Sequence, residues 1–515
     1  MKSRKIRVGT VVFSFVLLFV TLFSPSIIAL EKDDKSASSD RYMQLFQYVY
    51  TFLQKNYVDE VDPKVLYEGA MKGMLESLKD PYTTYIDSKS LLGMSLKDTT
   101  TGSFGGVGLS ITKPIENTPD KPAYVEVASP IEDTPGWKAG VQPGDLILDI
   151  DGTATADITM EDVLAKLRGP VGTNVTVKIR RGKLMEFPVT MKRALIEVPT
   201  VKYTMMDGGI GYLRIIEFTP VTAERVAEAL KSFSKAGYTS LIIDIRNNPG
   251  GLITSVVDVA DQFIDSGVIV STRSRIAYEN RAFKATSGKS DFDPKIPVVV
   301  LLNRGSASAA EILSGALKDY HLAYLVGETS YGKGSVQQVM DLLSQDAMKV
   351  TMARYYTPSD ANIDKQGIPP DREILFPKLT EAEEKSLADL LKTTKIADAV
   401  AAVPNFDPAA AERIAKELVK AYPADLRVMK KLVEQEYYRT HISPLYDLDY
   451  DIQLKSAVDI LKKEDVFALL KTTKTVKELQ DAAAATVASK DKTGADAAGA
   501  DTSKPDSVLV PDPVQ

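Results

Sequence analysis

The chain has 515 residues and no cysteine, only two histidines, His321 and His441, and a single tryptophan. Without cysteine there is no disulfide, no thiolate nucleophile and no cysteine-bound metal, although many exported proteins also lack it, so the compartment stays open. Neither histidine stands in a promising catalytic setting: His321 follows Tyr320 at a predicted helix end, and His441 lies in a C-terminal helical region. An HExxH pair, a Walker loop and a dinucleotide fingerprint are all missing. The carboxylates do not gather around histidine, so no metal and no cofactor is expected. A formal net charge of −6 argues against a broad nucleic-acid surface.

What is present begins at the N-terminus. "MKSRKIR" is followed by an uncharged run from Val8 to Leu30, the pattern of an export signal in residues 1–30. The run is long enough to span a bilayer, while Pro25 and Ala29 also suit cleavage, so retained anchor and cleaved signal both stay open. Either way the remainder is expected to work outside the cytoplasm, in a periplasm or on the extracytoplasmic face of the membrane. A retained anchor would leave its basic flank in the cytoplasm.

A chain of this length divides into several domains. Residues 31–103 read as helical: "YMQLFQYVYTFLQKNY" and "PKVLYEGAMKGMLESLKD" repeat apolar residues at three and four, and "DPYTTYID" is expected to break the second helix at Pro81. Residues 104–195 form short strands around one helix. Over residues 196–378 strands alternate with helices, which predicts an α/β layered domain with a largely parallel sheet. Residues 379–480 return to helices, and residues 481–515, poor in large apolar side chains, are expected to be a disordered tail.

The 104–195 unit resembles a PDZ domain, most specifically in "AGVQPGDLILDIDG". Its "GGVGL" begins at Gly105, and the peptide-binding candidates Gly106, Val107, Gly108 and Leu109 would aim the amides of the last three at one point, a nest for a peptide carboxylate. A free C-terminus would then add as a strand beside "GLSI".

The chemistry is predicted in "LLNRGSASAAEILSGALKDY". A buried strand ends in a small-residue turn and opens into a helix, and Ser308 sits at the junction. The free amides and partial positive charge of a helix N-terminus favour a developing alkoxide and oxyanion. Helix capping is the common alternative role for such a serine, and Ser306 is expected to take it; Glu311, three residues after Ser308, is read as a structural capping-box partner reaching back to it. Further on, "GETSYGKGSVQQV" places Lys333 between two glycines. A desolvated lysine loses its proton far more readily than its usual pKa of ~10.4 implies and needs no histidine to activate a serine. Asp244 and Arg246 are expected to pair, with no catalytic role.

"GSASAAEI", "GKGSVQQ", "DIRNNPGG" and "ARYYTPSDANIDKQGIPPD", in their order along the chain, resemble the carboxyl-terminal processing or tail-specific proteases, with a PDZ domain and a crotonase-like α/β core. The resemblance spans about Asp40 to Phe376. It implies Ser308 as nucleophile, Lys333 as general base and Gln337 as the residue orienting the lysine. It also implies an oxyanion hole from the amide of Ala309 and that of Gly250 or Gly251. Arg168, after the PDZ helix, is a candidate for coupling peptide binding to the core through a salt bridge. The implied partners are protein substrates with free C-termini and further copies of the chain, in a dimer or a larger assembly; the region after Leu379 departs most from the family pattern, and docking an adaptor or completing a dimer both stay open for it. A catalytically silent PDZ scaffold is the rival reading; an acyl-CoA enzyme of the crotonase type fits poorly with export and a PDZ domain.

Overall fold

The computed structural model describes residues 35–494, apart from 88–89, 91–100, 115–117, 119–121, 132–133, 143, 183–184, 198–199, 289–291, 343–345, 439–440 and 442. The expected export segment and residues 495–515 lie outside the described residues. Among those described, no helix is long and apolar enough to cross a membrane.

Residues up to Ser77 form one compact unit and the rest another. In the first, two helices run over Lys35–Asn56 and Pro63–Glu76. The second starts where its sequence dictates, with Asp62 accepting from the Lys64 amide and Pro63 in the first turn. It ends at Glu76, with Ser77 as its cap, so the break comes before Pro81. Apolar side chains crowd the surface of the first helix: Tyr42 is 71% exposed and Tyr48 61%, with Leu45, Phe46 and Phe52 also exposed.

In the second unit the PDZ expectation holds. An antiparallel sheet runs in the order Leu109–Thr112, Val125–Pro130, Leu146–Ile150, Asn174–Arg181, Met185–Lys192, so the "GLSI" strand is a sheet edge. Its helix, Met160–Leu167, is fixed by a reciprocal Thr159–Asp162 capping box and buries Val163 and Leu167 against Val125, Val127, Ile147 and Val177. The domain joins the core by a two-stranded ribbon of Ser103–Gly106 and Ala194–Glu197.

The core sheet is ordered Val201–Met206, Ile210–Ile215, Ser240–Asp244, Val298–Leu302, Tyr324–Gly327, Arg372–Glu373, parallel beyond its first strand pair. "SLIID" and "VVVLL" are buried along their whole length, as central parallel strands covered on both faces must be. Helices Thr222–Ala236, Ile253–Ala260 and Ala309–Asp319 cover one face. The other face is covered by Ile452–Lys463 and Val466–Leu470. The C-terminal region is therefore two things: a separate bundle of Glu381–Leu391, Lys395–Ala401, Pro408–Ala421 and Leu426–Tyr438 with its own core, and a segment that completes the protease sheet. Arg246 locks that segment down, bridging Asp244 in the sheet and Asp451 at the N-cap of the covering helix. The last helix, Val476–Gly494, runs on into the stretch expected as tail.

A second, antiparallel sheet contains Thr84–Ile86, Ala347–Tyr356, Gly267–Arg273 and Ala282–Ala285, with Ser335–Asp341 paired to Ala347–Tyr356. The loop carrying Lys333 leads directly into it.

Candidate active site

Two adjacent parallel strands, Ser240–Asp244 and Val298–Leu302, end side by side, and the loops that follow them build the site. Ser306 stitches the loops together: its hydroxyl donates to the Ile245 carbonyl (2.8 Å) and accepts from the Asn303 amide (3.0 Å). Fully buried in that role, Ser306 does not cap the helix.

Ser308 is the residue before the helix and has φ 56° and ψ −114°. A non-glycine residue at positive φ is strained by about 1–3 kcal/mol and is retained only where surroundings enforce it. The enforcing group is Glu311, whose side chain is wholly buried. Its Oε2 accepts from the amides of Ser308 (2.9 Å) and Lys333 (2.8 Å), and its Oε1 from the Gly332 amide (2.7 Å) and the Ser330 hydroxyl (2.5 Å). One carboxylate oxygen thus holds the backbones of serine and lysine together. Burial pushes the Glu311 carboxyl up, against the pull of its four donors.

Lys333 is largely enclosed, and burial, then the nearby Lys349, holds its amine below the ordinary lysine range, with Glu311 opposing. The Nζ lies 5.3 Å from the centre of the Tyr82 ring. No hydrogen bond joins it to Ser308 or to Gln337 among the described residues. The Gln337 amide instead donates to the Ser335 hydroxyl (2.8 Å) and reaches toward Thr351. The buried Tyr355 hydroxyl donates to the Lys333 carbonyl and lies beside Ser308.

Gly250 packs against the serine, since a Cβ there would fall 2.7 Å from that of Ser308 and 3.0 Å from the Ala309 nitrogen. Its own amide donates to Asn248 Oδ1 (2.8 Å), while the amides of Gly251 and Ala309 make no hydrogen bond among the described residues. Asn248, buried and unremarked in the sequence, also accepts the Ala307 amide and donates to the Ile215 carbonyl, tying "NNPGG" to the serine turn.

The other expected residues lie elsewhere. His321 sits at the far end of the serine helix, ~16 Å along its axis, with Nδ1 on the Thr473 hydroxyl. His441 stacks on Tyr437. The Arg168 guanidinium lies over the Phe104 ring at 4.4 Å, at the ribbon joining PDZ and core. In the PDZ loop, Gly108 has φ 72° and a Cβ there would strike Thr134. Gly108→Ala is therefore expected to distort the nest and weaken binding of a peptide with a free C-terminus by about tenfold or more, measured by fluorescence anisotropy against the same peptide amidated at its C-terminus.

Comparison with known proteins gives three family matches: "Activating protease CtpB N-terminal domain" over residues 24–90, a PDZ domain over 126–181 and peptidase family S41 over 209–374. The Carboxy-terminal-processing protease of Bartonella bacilliformis is 38% identical over 364 residues, 69% of this chain and 81% of its own. Carboxy-terminal processing protease CtpA of Bacillus subtilis is 30% identical over 446 residues, 86% of each. Among solved structures, the photosystem II D1 C-terminal processing protease aligns at 32% identity and a TM-score of 0.38, covering 66% of this chain and 88% of that one.

Proposed function

Since this chain belongs to the carboxy-terminal processing proteases of peptidase family S41, a serine-type peptidase with a PDZ domain, we propose that it is an exported endopeptidase using a Ser308–Lys333 pair. The neutral Lys333 amine takes the Ser308 hydroxyl proton as Oγ attacks the scissile carbonyl carbon. The resulting ammonium returns that proton to the leaving nitrogen as the C–N bond breaks, leaving an ester on Ser308. Water then attacks the ester, losing its proton to the same amine, and the serine is released. The Ala309 amide and that of Gly251, both without an internal acceptor, are the donors for the tetrahedral oxyanion. Gly250 takes that part only if Asn248 releases it. Gln337 orients the amine after a rotation away from Ser335.

The observation that carries this reading is the single Glu311 oxygen shared by the Ser308 and Lys333 backbones. A desolvated lysine beside a strained serine at a helix start has the chemistry that a missing histidine would otherwise supply. Gly106, Val107, Gly108 and Leu109 with the edge strand Leu109–Thr112 receive the substrate's C-terminus. The basic, then apolar, first thirty residues direct the enzyme across the membrane. The test is incubation with a protein bearing a flexible apolar tail. Wild type is expected to shorten it, whereas Ser308→Ala binds it and leaves it intact. Identical behaviour of the two proteins would leave a tail-binding scaffold in place of a peptidase.

Self-association belongs to the same proposal. The exposed Tyr42, Leu45, Phe46, Tyr48 and Phe52 share one helix, and clustered exposed apolar side chains of this kind mark interaction surfaces. Phe46→Glu with Phe52→Glu is expected to convert an assembly to monomer by light scattering; an unchanged mass would remove that helix from the interface.

A further inference from the structure

The turn before the strand Thr84–Ile86 reaches the lysine, and it is pinned from both sides. Asp80 accepts from the Tyr82 amide (3.0 Å) and the Thr83 hydroxyl (2.6 Å), and the Thr83 hydroxyl accepts from the Thr351 amide (3.1 Å). Immediately after the turn, Thr84–Ile86 pairs antiparallel with Ala347–Tyr356, setting Thr84 opposite Lys349. The Tyr85 hydroxyl is anchored on buried Asp346 (2.6 Å). A turn held by this many bonds does not present its aromatic ring to the Lys333 amine by accident. The ring is half-buried, and Tyr331 lies beside its hydroxyl.

We propose that Tyr82 is a positioning residue for Lys333, its ring forming the wall that keeps water from the amine. This rests on the reading of Lys333 as general base. Gln337 is turned toward Ser335, whereas the Tyr82 ring lies with its centre 5.3 Å from Nζ. The charges acting on the amine are Glu311 from the serine helix and Lys349 from Ala347–Tyr356, while Tyr331, Tyr355 and Asp364 lie around the Tyr82 ring. Glu311 favours the ammonium. Lys349 disfavours it, and exclusion of water disfavours it most. The attraction of a ring face for a cation acts the other way, but it is weaker than the loss of hydration. Removing the ring therefore readmits water and raises the pH at which the amine becomes neutral.

The experiment is competitive acetylation of Lys333 across pH, read by mass spectrometry in full-length Ser308→Ala protein carrying Tyr82 as Tyr, Phe, Leu or Ala. Phe and Leu retain a cover and are expected to keep the wild-type midpoint or fall below it. Ala is expected to move it up by about one pH unit or more. In catalytically intact protein, Tyr82→Ala should lower kcat about tenfold near neutral pH with KM within about twofold, and recover at alkaline pH, while Tyr82→Phe behaves as wild type. An Ala midpoint at or below wild type overturns the proposal, as does faster cleavage by Tyr82→Ala, which would make the turn a brake. Because labelling needs no catalysis, its outcome is independent of whether Lys333 is the base; that is read from Lys333→Ala.

Discussion

Replacing Lys333 with alanine is expected to lower kcat/KM by about 10⁴-fold or more, at every pH and without loss of substrate binding. Removing one member of a catalytic unit in serine peptidases removes nearly all that the unit provides, leaving only binding and oxyanion stabilisation. In the wild type the rate should rise with pH as Lys333 loses its proton. That limb should lie below the ordinary lysine range, because burial, then Lys349, disfavours the ammonium. The sign is fixed: a base must be neutral, so acid protonates it and the rate falls. Kinetics with a quenched peptide across pH, with tail affinity of the variant measured in parallel, checks both statements. Substantial turnover by Lys333→Ala would end the serine–lysine mechanism.

Glu311→Gln is expected to be nearly as damaging, by a different route. The carboxylate satisfies four donors, two on each oxygen. Glutamine keeps one oxygen and turns an NH2 group toward the other two donors, stranding them in a buried site. Each stranded donor costs about 1–3 kcal/mol, so the folded state should lose roughly 2–6 kcal/mol. The loop carrying Lys333 also loses its tie to the Ser308 backbone, and kcat/KM should fall about 10²-fold or more even in the folded fraction. Thermal unfolding and active-site titration separate the two losses. A variant of wild-type stability and rate would show the clamp to be unimportant.

Local signals made the frame legible. The apolar "VVVLL" run followed by a small-residue turn announces a buried strand feeding a helix, and the PDZ loop "GGVGL" is likewise a local signal. What stayed hidden depends on distant pairing. Glu311 reads as a cap for its own helix; that it also grips Ser330, Gly332 and Lys333 follows only from the packing of a later loop. Tyr82 sits in a stretch that looks like a helix breaker. Its approach to the lysine is set by a strand pairing whose anchor, Thr83 on Thr351, joins residues 268 apart. The periodicity of Ile452–Lys463 says that one face is buried, but not that the protease sheet lies beneath it.

That last helix has a consequence for biosynthesis. On the ribosome, Ser308 and Lys333 emerge well before Asp451 and the residues that shield the back of the sheet. Until those follow, Ile242, Val299 and Leu301 have no cover on that side, and Arg246 lacks its second carboxylate. The sheet that carries the serine turn is thus covered on both faces only once synthesis has passed Leu470, so the frame of the hydrolytic centre closes after its own residues have been made.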